Sequence, residues 1–287
     1  MIVVPGTASQ VLAHRVAELL GAELAGVTCR RFPDGELYLR VEGDFRGEEC
    51  VVVQSTPPPQ DRNIFELLAL LETLRDAGAA ELTAAVPYLA YGRQDRAFKP
   101  GEAVTSRVLA KHVSLNADRF IGVNLHKRSI LDYFDVEAVE LDASPLLGRY
   151  FRQRLKGRRA VIAPDAGASG MAEKVAEVLG CEHDHLEKKR LGPGEVVLQQ
   201  KELDVEGVQV VLVDDIIDSG GSMVEAMKAI ESQGAESVHV SCVHALATGS
   251  AIARLLAGGA SEVAGTDTIA SQVSVISVAE MLASVLK

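Results

Sequence analysis

The chain has 287 residues, room for two domains of ordinary size, and its 47% hydrophobic and 24% charged residues mark a globular protein, not a disordered one. A net charge of −11, no Trp and only 4% aromatics argue against a nucleic-acid surface or a base-stacking platform. No apolar run is long enough to span a membrane, MIVVPGTASQ lacks the basic start of a signal peptide, and Cys29, Cys50, Cys181 and Cys242 stand far apart with no CxxC, so the expectation is a cytoplasmic protein with reduced thiols and no zinc site.

Ile2 to Pro5 reads as a short strand, and Gly6-Thr7-Ala8-Ser9 as a turn into a helix from about Gln10 to Leu20. Val27 to Phe32 and the alternating Glu36 to Val41 flank Pro33-Asp34-Gly35, so RRFPDGELYLR reads as a hairpin. Cys50 to Gln54 is the next strand, and Pro57-Pro58-Pro59 keeps the following loop out of helix or central strand. Asn63 to Asp76 is an amphipathic helix with Ile64, Leu67, Leu68, Leu71 and Leu74 on its core face, and Glu81 to Tyr88 returns to the sheet.

PYLAYGRQDRAFKPGE is polar, basic and aromatic, and too irregular for either element. A loop of this length inside a domain is usually functional or mobile. Arg93, Arg96 and Lys99 suit a polyphosphate, although a solvated surface loop would carry the same residues. A helix follows from Ala103 to Leu115. Asp118 to Val123 is a strand with His126 at its carboxyl end, where a phosphate or metal contact and a structural role are about equally expected. Val136 to Leu141 closes the first half. Asp142-Ala143-Ser144-Pro145 starts a helix and marks a boundary between domains 1–142 and 143–287, with the last helix, Val278 to Leu286, available to pack on the N-terminal domain.

The second half opens with the strand Ala160 to Pro164. Asp165-Ala166-Gly167-Ala168-Ser169-Gly170 is a small-residue loop with a carboxylate, and a helix runs from Met171 to Leu179. His183-Asp184-His185 reads as a surface strand face and not a metal site. Glu187-Lys188-Lys189-Arg190 leads into a Gly/Pro loop. Its cations could fold over an anionic site, or simply decorate a hairpin tip.

Val210 to Ser222, VVLVDDIIDSGGS, carries the most chemistry. It reads as a buried strand, two carboxylates just past its end, a Gly/Ser loop, and a helix with Met223, Ala226, Met227 and Ile230 on its core face. Such a loop suits a phosphate, whereas paired carboxylates suit hydroxyls or a divalent cation, so together they imply a sugar phosphate. The unit from Val51 through Leu82 can be laid on that from Val210 through Val238 as a repeated βαβ. Two similar α/β domains are expected, with the sugar-phosphate site kept only in the second. Further strands are expected at Ser237 to His244, Glu262 to Thr266 and Val273 to Ile276.

The DDIIDSGGS stretch resembles the phosphoribosyl pyrophosphate (PRPP) binding motif of phosphoribosyltransferases and PRPP synthetases. With RRFPDGELYLR, PYLAYGRQDR, NLHKRSI, APDAGASG and EKKR in order, nearly the whole chain resembles the ribose-phosphate pyrophosphokinases, in their archaeal-like form. The resemblance implies an α/β fold of two tandem phosphoribosyltransferase-like domains, each a mainly parallel sheet flanked by helices. It implies transfer of the β,γ-pyrophosphoryl group of Mg-ATP to the C1 hydroxyl of ribose 5-phosphate, giving PRPP and AMP. By resemblance, Asp218, Ser219, Gly220, Gly221 and Ser222 hold the 5-phosphate, and Asp214 and Asp215 meet the ribose hydroxyls directly or through a cation. Lys188 and Arg190 are catalytic, on a flexible loop. His126 and Asp165 are the Mg²⁺ positions. Phe32, Asp34 and Glu36 form the adenine-contacting hairpin, which reaches a neighbouring subunit, and Arg93 and Gln94 belong to the ATP-phosphate segment. A homo-oligomer, at least a dimer, follows. Asn124 departs from the family's pattern, standing where many members carry Asp. The alternatives are a phosphoribosyltransferase, which needs no ATP, and a catalytically silent regulatory subunit, which would be expected to lose the acidic pair, the loop cations or the metal contacts.

Overall fold

Short runs of β-branched residues build the strands and periodic Leu and Ala build the helices around them. In the computed structural model the described residues are 1–192, 195–199 and 203–287, with the backbone alone for 188–192 and 195–199. The chain divides into two units: Met1–Asp142 with Thr268–Ala270 and Ser277–Lys287, and Ala143–Asp267 with Ser271–Ile276.

The first unit runs β1 (Ile2–Pro5), α1 (Gln10–Leu20), β2 (Glu23–Leu24), β3 (Gly26–Arg31), β4 (Leu37–Glu42), β5 (Glu49–Val53), α2 (Gln60–Asp76), β6 (Glu81–Val86), α3 (Thr105–Val113), β7 (Arg119–Val123) and β8 (Glu137–Leu141). Its sheet has the order β2-β1-β5-β6-β7-β8, and every pairing in it is parallel. Helix α2 presents Leu67, Leu70, Leu71 and Leu74 to Val52, Leu82 and Phe120. That is the i, i+3, i+4, i+7 stripe of a core-facing helix, and each buried Leu contributes about 1.5–3 kcal/mol. The helix starts three residues before the expected Asn63, because Gln60, Asp61 and Arg62 form a polar first turn right after Pro59. β3 and β4 pair antiparallel from Gly26↔Glu42 to Arg31↔Leu37, as the hairpin reading expects.

The second unit runs α4 (Ser144–Arg152), β9 (Arg159–Ala163), α5 (Ser169–Leu179), β10 (Glu182–His185), β11 (Glu187–Gly192), β12 (Glu195–Gln199), β13 (Gln209–Ile217), α6 (Gly221–Glu231), β14 (Ser237–Ala245), α7 (Ala251–Ala257), β15 (Ala260–Thr266) and β16 (Ser274–Ile276). Its order is β10-β9-β13-β14-β15-β16, again all parallel. The chain then supplies α8 (Ala279–Val285) to the first unit, where it packs on α1 and where Arg119 donates to the Val285 carbonyl at 2.9 Å. No helix among the described residues is long and apolar enough to cross a membrane, and all four cysteines are free.

The internal repeat is larger than the sequence reveals. Each unit inserts an antiparallel hairpin, β3–β4 or β11–β12, between its second and third sheet strands. In each, the chain adds its second sheet strand on one side of the first and its third on the other. The order therefore reverses between β1 and β5, and between β9 and β13. In an open parallel sheet, ligands bind at such a switch point, outside the carboxyl ends of the strands.

Candidate active site

The second unit's switch point is built by β9 and β13. Their pairing ends at Leu212↔Ile162, whereas β13 stays paired to β14 as far as Ile217↔Ala245. This corrects one expectation: Asp214 and Asp215 lie within the strand, not past its end. Ladder pairing to a longer neighbour keeps them extended, while the missing β9 partner opens the crevice beside them.

Asp215 donates its backbone N–H to the Asp214 carboxylate at 2.9 Å. Burial pushes the Asp214 carboxyl up to about 8, with further push from the charge of Asp215 and a smaller one from Asp165. Beside Asp214, as its register partner on β14, lies Cys242, fully buried, its thiol driven well up by burial. Asp165 caps the short turn after β9, accepting from the Gly167 N–H at 2.9 Å. Carboxyl oxygens from β13 and from the turn after β9 thus gather at one crevice, which suits sugar hydroxyls or a hard cation. Among the described residues, no group of three or more His, Cys, Asp or Glu side chains could hold a metal ion. A Mg²⁺ here would need substrate oxygens to complete its shell, which is its usual habit.

The small-residue loop turns directly into α6. Gly220 sits at φ +76°, a left-handed conformation that an L side chain strains to adopt, and Gly221 and Ser222 are the first helical residues. The loop is braced by Ala247–Arg254, which the sequence reading did not single out. The Ala247 N–H reaches the Ile217 carbonyl at 2.9 Å and the Thr248 N–H reaches the Asp218 carbonyl at 3.1 Å. The Thr248 hydroxyl donates to the Asp218 carboxylate at 2.8 Å, and Arg254 donates to the Ser219 carbonyl at 3.0 Å. The available signal was Ala247-Thr248-Gly249-Ser250, a second small-residue run at the end of a neighbouring strand.

The same place in the first unit is filled. Gln54, Ser55, Thr56 and Glu66 are fully buried there. The Gln54 side chain accepts from the Ala8 N–H at 3.0 Å, and it lies so close to Gly6 that a Cβ would fall 2.1 Å from its oxygen. Glu66 takes the Thr7 N–H and hydroxyl, each at 2.6 Å. A polar plug therefore occupies the switch point where the second unit keeps an open loop.

The remaining expected residues of the first unit lie in exposed or half-buried positions. Phe32 is 45% exposed at the hairpin tip and meets Tyr38 edge-on at 5.9 Å. Asp34 accepts from the Glu36 N–H at 3.2 Å, tightening the turn. Arg93 is exposed. The Gln94 side-chain oxygen accepts from Thr105 at 2.6 Å, and Tyr133 ties down the neighbouring Asp95 carbonyl at 2.6 Å. His126 is half-buried beyond β7. Asn124, two residues earlier, donates to Asp142 at 3.0 Å. In the second unit, Lys188 and Arg190 lie on β11 with backbone partners Leu198 and Val196. Their side chains lie outside the described residues.

The N-terminal domain of ribose phosphate pyrophosphokinase matches residues 1–115, and the phosphoribosyl transferase domain matches residues 130–255. The chain is 48% identical to the ribose-phosphate pyrophosphokinase of Methanopyrus kandleri, covering 100% of this chain and 99% of that protein. It is 43% identical to that of Methanosarcina acetivorans over the same shares. Its fold superposes on the crystal structure of phosphoribosylpyrophosphate synthetase from Mycobacterium smegmatis with a TM-score of 0.89, at 30% identity, covering 99% of this chain and 97% of the other. Full-length similarity, together with a first unit that matches the N-terminal pyrophosphokinase domain, means that this chain belongs to the ribose-phosphate pyrophosphokinase family.

Proposed function

We propose that the protein transfers the β,γ-pyrophosphoryl group of ATP to the C1 hydroxyl of ribose 5-phosphate, forming PRPP and AMP. The observation that carries this reading is the pairing, at one switch point, of a small-residue loop opening a helix with a half-buried acidic pair. A phosphate suits the loop of Asp218, Ser219, Gly220, Gly221 and Ser222. Sugar hydroxyls suit Asp214 and Asp215, which accept hydrogen bonds at a fixed distance from it. The C1 hydroxyl is then held for attack on the β-phosphorus of ATP, AMP leaves, and positioning supplies much of the rate.

Mg²⁺ fits the oxygen-donor character of these strand ends. Asp165 is a proposed contact for it there and His126 is a proposed Mg²⁺ position of its own, and when bound the ion would neutralise the polyphosphate and the charge that develops in transfer. Lys188 and Arg190 carry the proposed stabilisation of the transferred group. Phe32 offers an exposed ring for an adenine base, with Asp34 and Glu36 beside it, and Arg93 and Gln94 suit the ATP phosphates. In this reading the hairpin serves a neighbouring copy, so the active form is at least a dimer in the cytoplasm. Light scattering that finds an active monomer would remove that part.

The deciding experiment mixes the purified protein with Mg²⁺, ATP and ribose 5-phosphate and identifies the nucleotide product. AMP formed only with the sugar phosphate supports pyrophosphoryl transfer. ADP would make the protein an ordinary kinase, and absence of turnover with ligand binding retained would make it a regulatory subunit. A phosphoribosyltransferase would need no ATP, and the N-terminal pyrophosphokinase domain over residues 1–115 disfavours it.

A further inference from the structure

The loop that opens α6 presents a paradox. It contains Asp218, whose carboxylate would repel a phosphate, and a loop backbone can also turn its carbonyl oxygens toward an anion. The second unit resolves both problems from one side. Carbonyls 217, 218 and 219 are taken in succession by Ala247, Thr248 and Arg254. The Gly220 carbonyl accepts from Val224 within the helix at 3.0 Å. The Asp218 carboxylate accepts from the Thr248 hydroxyl.

In a trans peptide, the carbonyl of one residue and the N–H of the next point in opposite directions. Fixing carbonyls 217 to 219 toward Ala247–Arg254 therefore aims the N–H groups of Asp218, Ser219 and Gly220 the other way. The N–H groups of the first helical turn, beginning at Gly221, add to that set. Successive N–H groups facing one point form an anion-binding concavity, and the helix terminus reinforces it.

We infer that Thr248 and Arg254 are positioning residues for ribose 5-phosphate: they hold the negative ends of the phosphate loop from behind, so that its N–H face meets the phosphate. The inference rests on reading this loop as the 5-phosphate site. The Asp218 carboxylate then acts through the loop's shape, held by Thr248, while the Asp218 N–H belongs to the face that meets the phosphate. Thr248 and Arg254 are both exposed, so conservative changes there remove loop bracing without opening the core.

The test compares the full-length wild type with Thr248→Val, Thr248→Ser and Arg254→Gln. Calorimetry with ribose 5-phosphate and with inorganic phosphate, without ATP, gives the Kd values, and steady-state assays give the KM values. Loss of one hydrogen bond to a charged group is expected to raise the Kd of both ligands about tenfold in Thr248→Val and Arg254→Gln. Thr248→Ser, which keeps the hydroxyl, restores the wild-type Kd, and the KM for ATP stays unchanged. A Kd for ribose 5-phosphate unchanged in both weakened variants overturns the inference, as does a wild type that binds neither ligand. If Thr248→Val does not fold, Arg254→Gln decides alone. A wild type that binds ribose 5-phosphate but releases no AMP overturns the proposed reaction and leaves the bracing role standing on the Kd values.

Discussion

Asp215 donates its backbone N–H to the carboxylate of Asp214 at 2.9 Å, and the two acids stand together where β13 has lost its β9 neighbour. The folded protein holds the Asp214 proton up to about pH 8, against an ordinary carboxyl value of 3.8. Between those values the folded chain binds a proton that the unfolded chain has released, so stability falls as pH rises through the window. Asp214→Asn removes this slope. Thermal melts near pH 8 are expected to show a higher Tm for the variant, by roughly 2–4 °C per kcal/mol relieved. Binding of ribose 5-phosphate is expected to weaken about tenfold or more. A lower Tm at pH 8 would refute the burial cost, and unchanged binding would refute the hydroxyl contact.

Lys188→Ala addresses the hairpin β11–β12. A cation that meets the transferred group only in the transition state affects turnover and not substrate binding. Turnover is expected to fall about 10²–10³-fold or more while the Kd for ribose 5-phosphate holds. Unchanged turnover removes Lys188 from the mechanism.

Glu66 holds Thr7 by two short hydrogen bonds in the plug of the first unit and sits beside Cys29, whose thiol is raised first by burial and then by the Glu66 charge. Glu66→Gln weakens charge-assisted bonds and is expected to cost about 1–3 kcal/mol in denaturant unfolding. The same change leaves Cys29 less strongly raised, so its reaction with a thiol reagent accelerates. Stability and thiol reactivity that both match wild type would refute this account.

His239 on β14 is depressed below its ordinary value near 6.5 because it is buried; Glu262, 3.8 Å away, opposes that only in part. Below 6.5 the unfolded chain takes up a proton that the folded chain resists, so stability is present above that pH and is lost as pH falls. His239→Gln is expected to flatten the dependence of Tm between pH 5 and 7. An identical acid slope in the variant would assign the effect to other groups.

Much of this was readable locally. The apolar run Val210 to Val213, the acidic pair and the Gly/Ser loop announced strand, carboxylates and anion site, because such signals span only a few residues. The hairpin around Pro33-Asp34-Gly35 was legible for the same reason. Short elements with weak signals were not: β2 is two residues long, and α7 follows Thr248 and Gly249 with few polar markers. The true extent of β13 was also hidden, since Asp214 and Asp215 are poor strand formers held extended by pairing to β14.

By itself the sequence determined the alternation of strands and helices, the presence of two related halves, and the chemistry available at each loop. Each follows from periodicity and side-chain type along a few neighbouring positions. Tertiary structure decided that Asp165 and Asp214 face one crevice, that Thr248 and Arg254 reach the carbonyls of a loop some thirty residues away, and that Gln54 and Glu66 close the equivalent place in the first unit. Those outcomes depend on which strands lie side by side. Hydrogen-bond pairing and burial between distant segments set that order, and no local pattern encodes it.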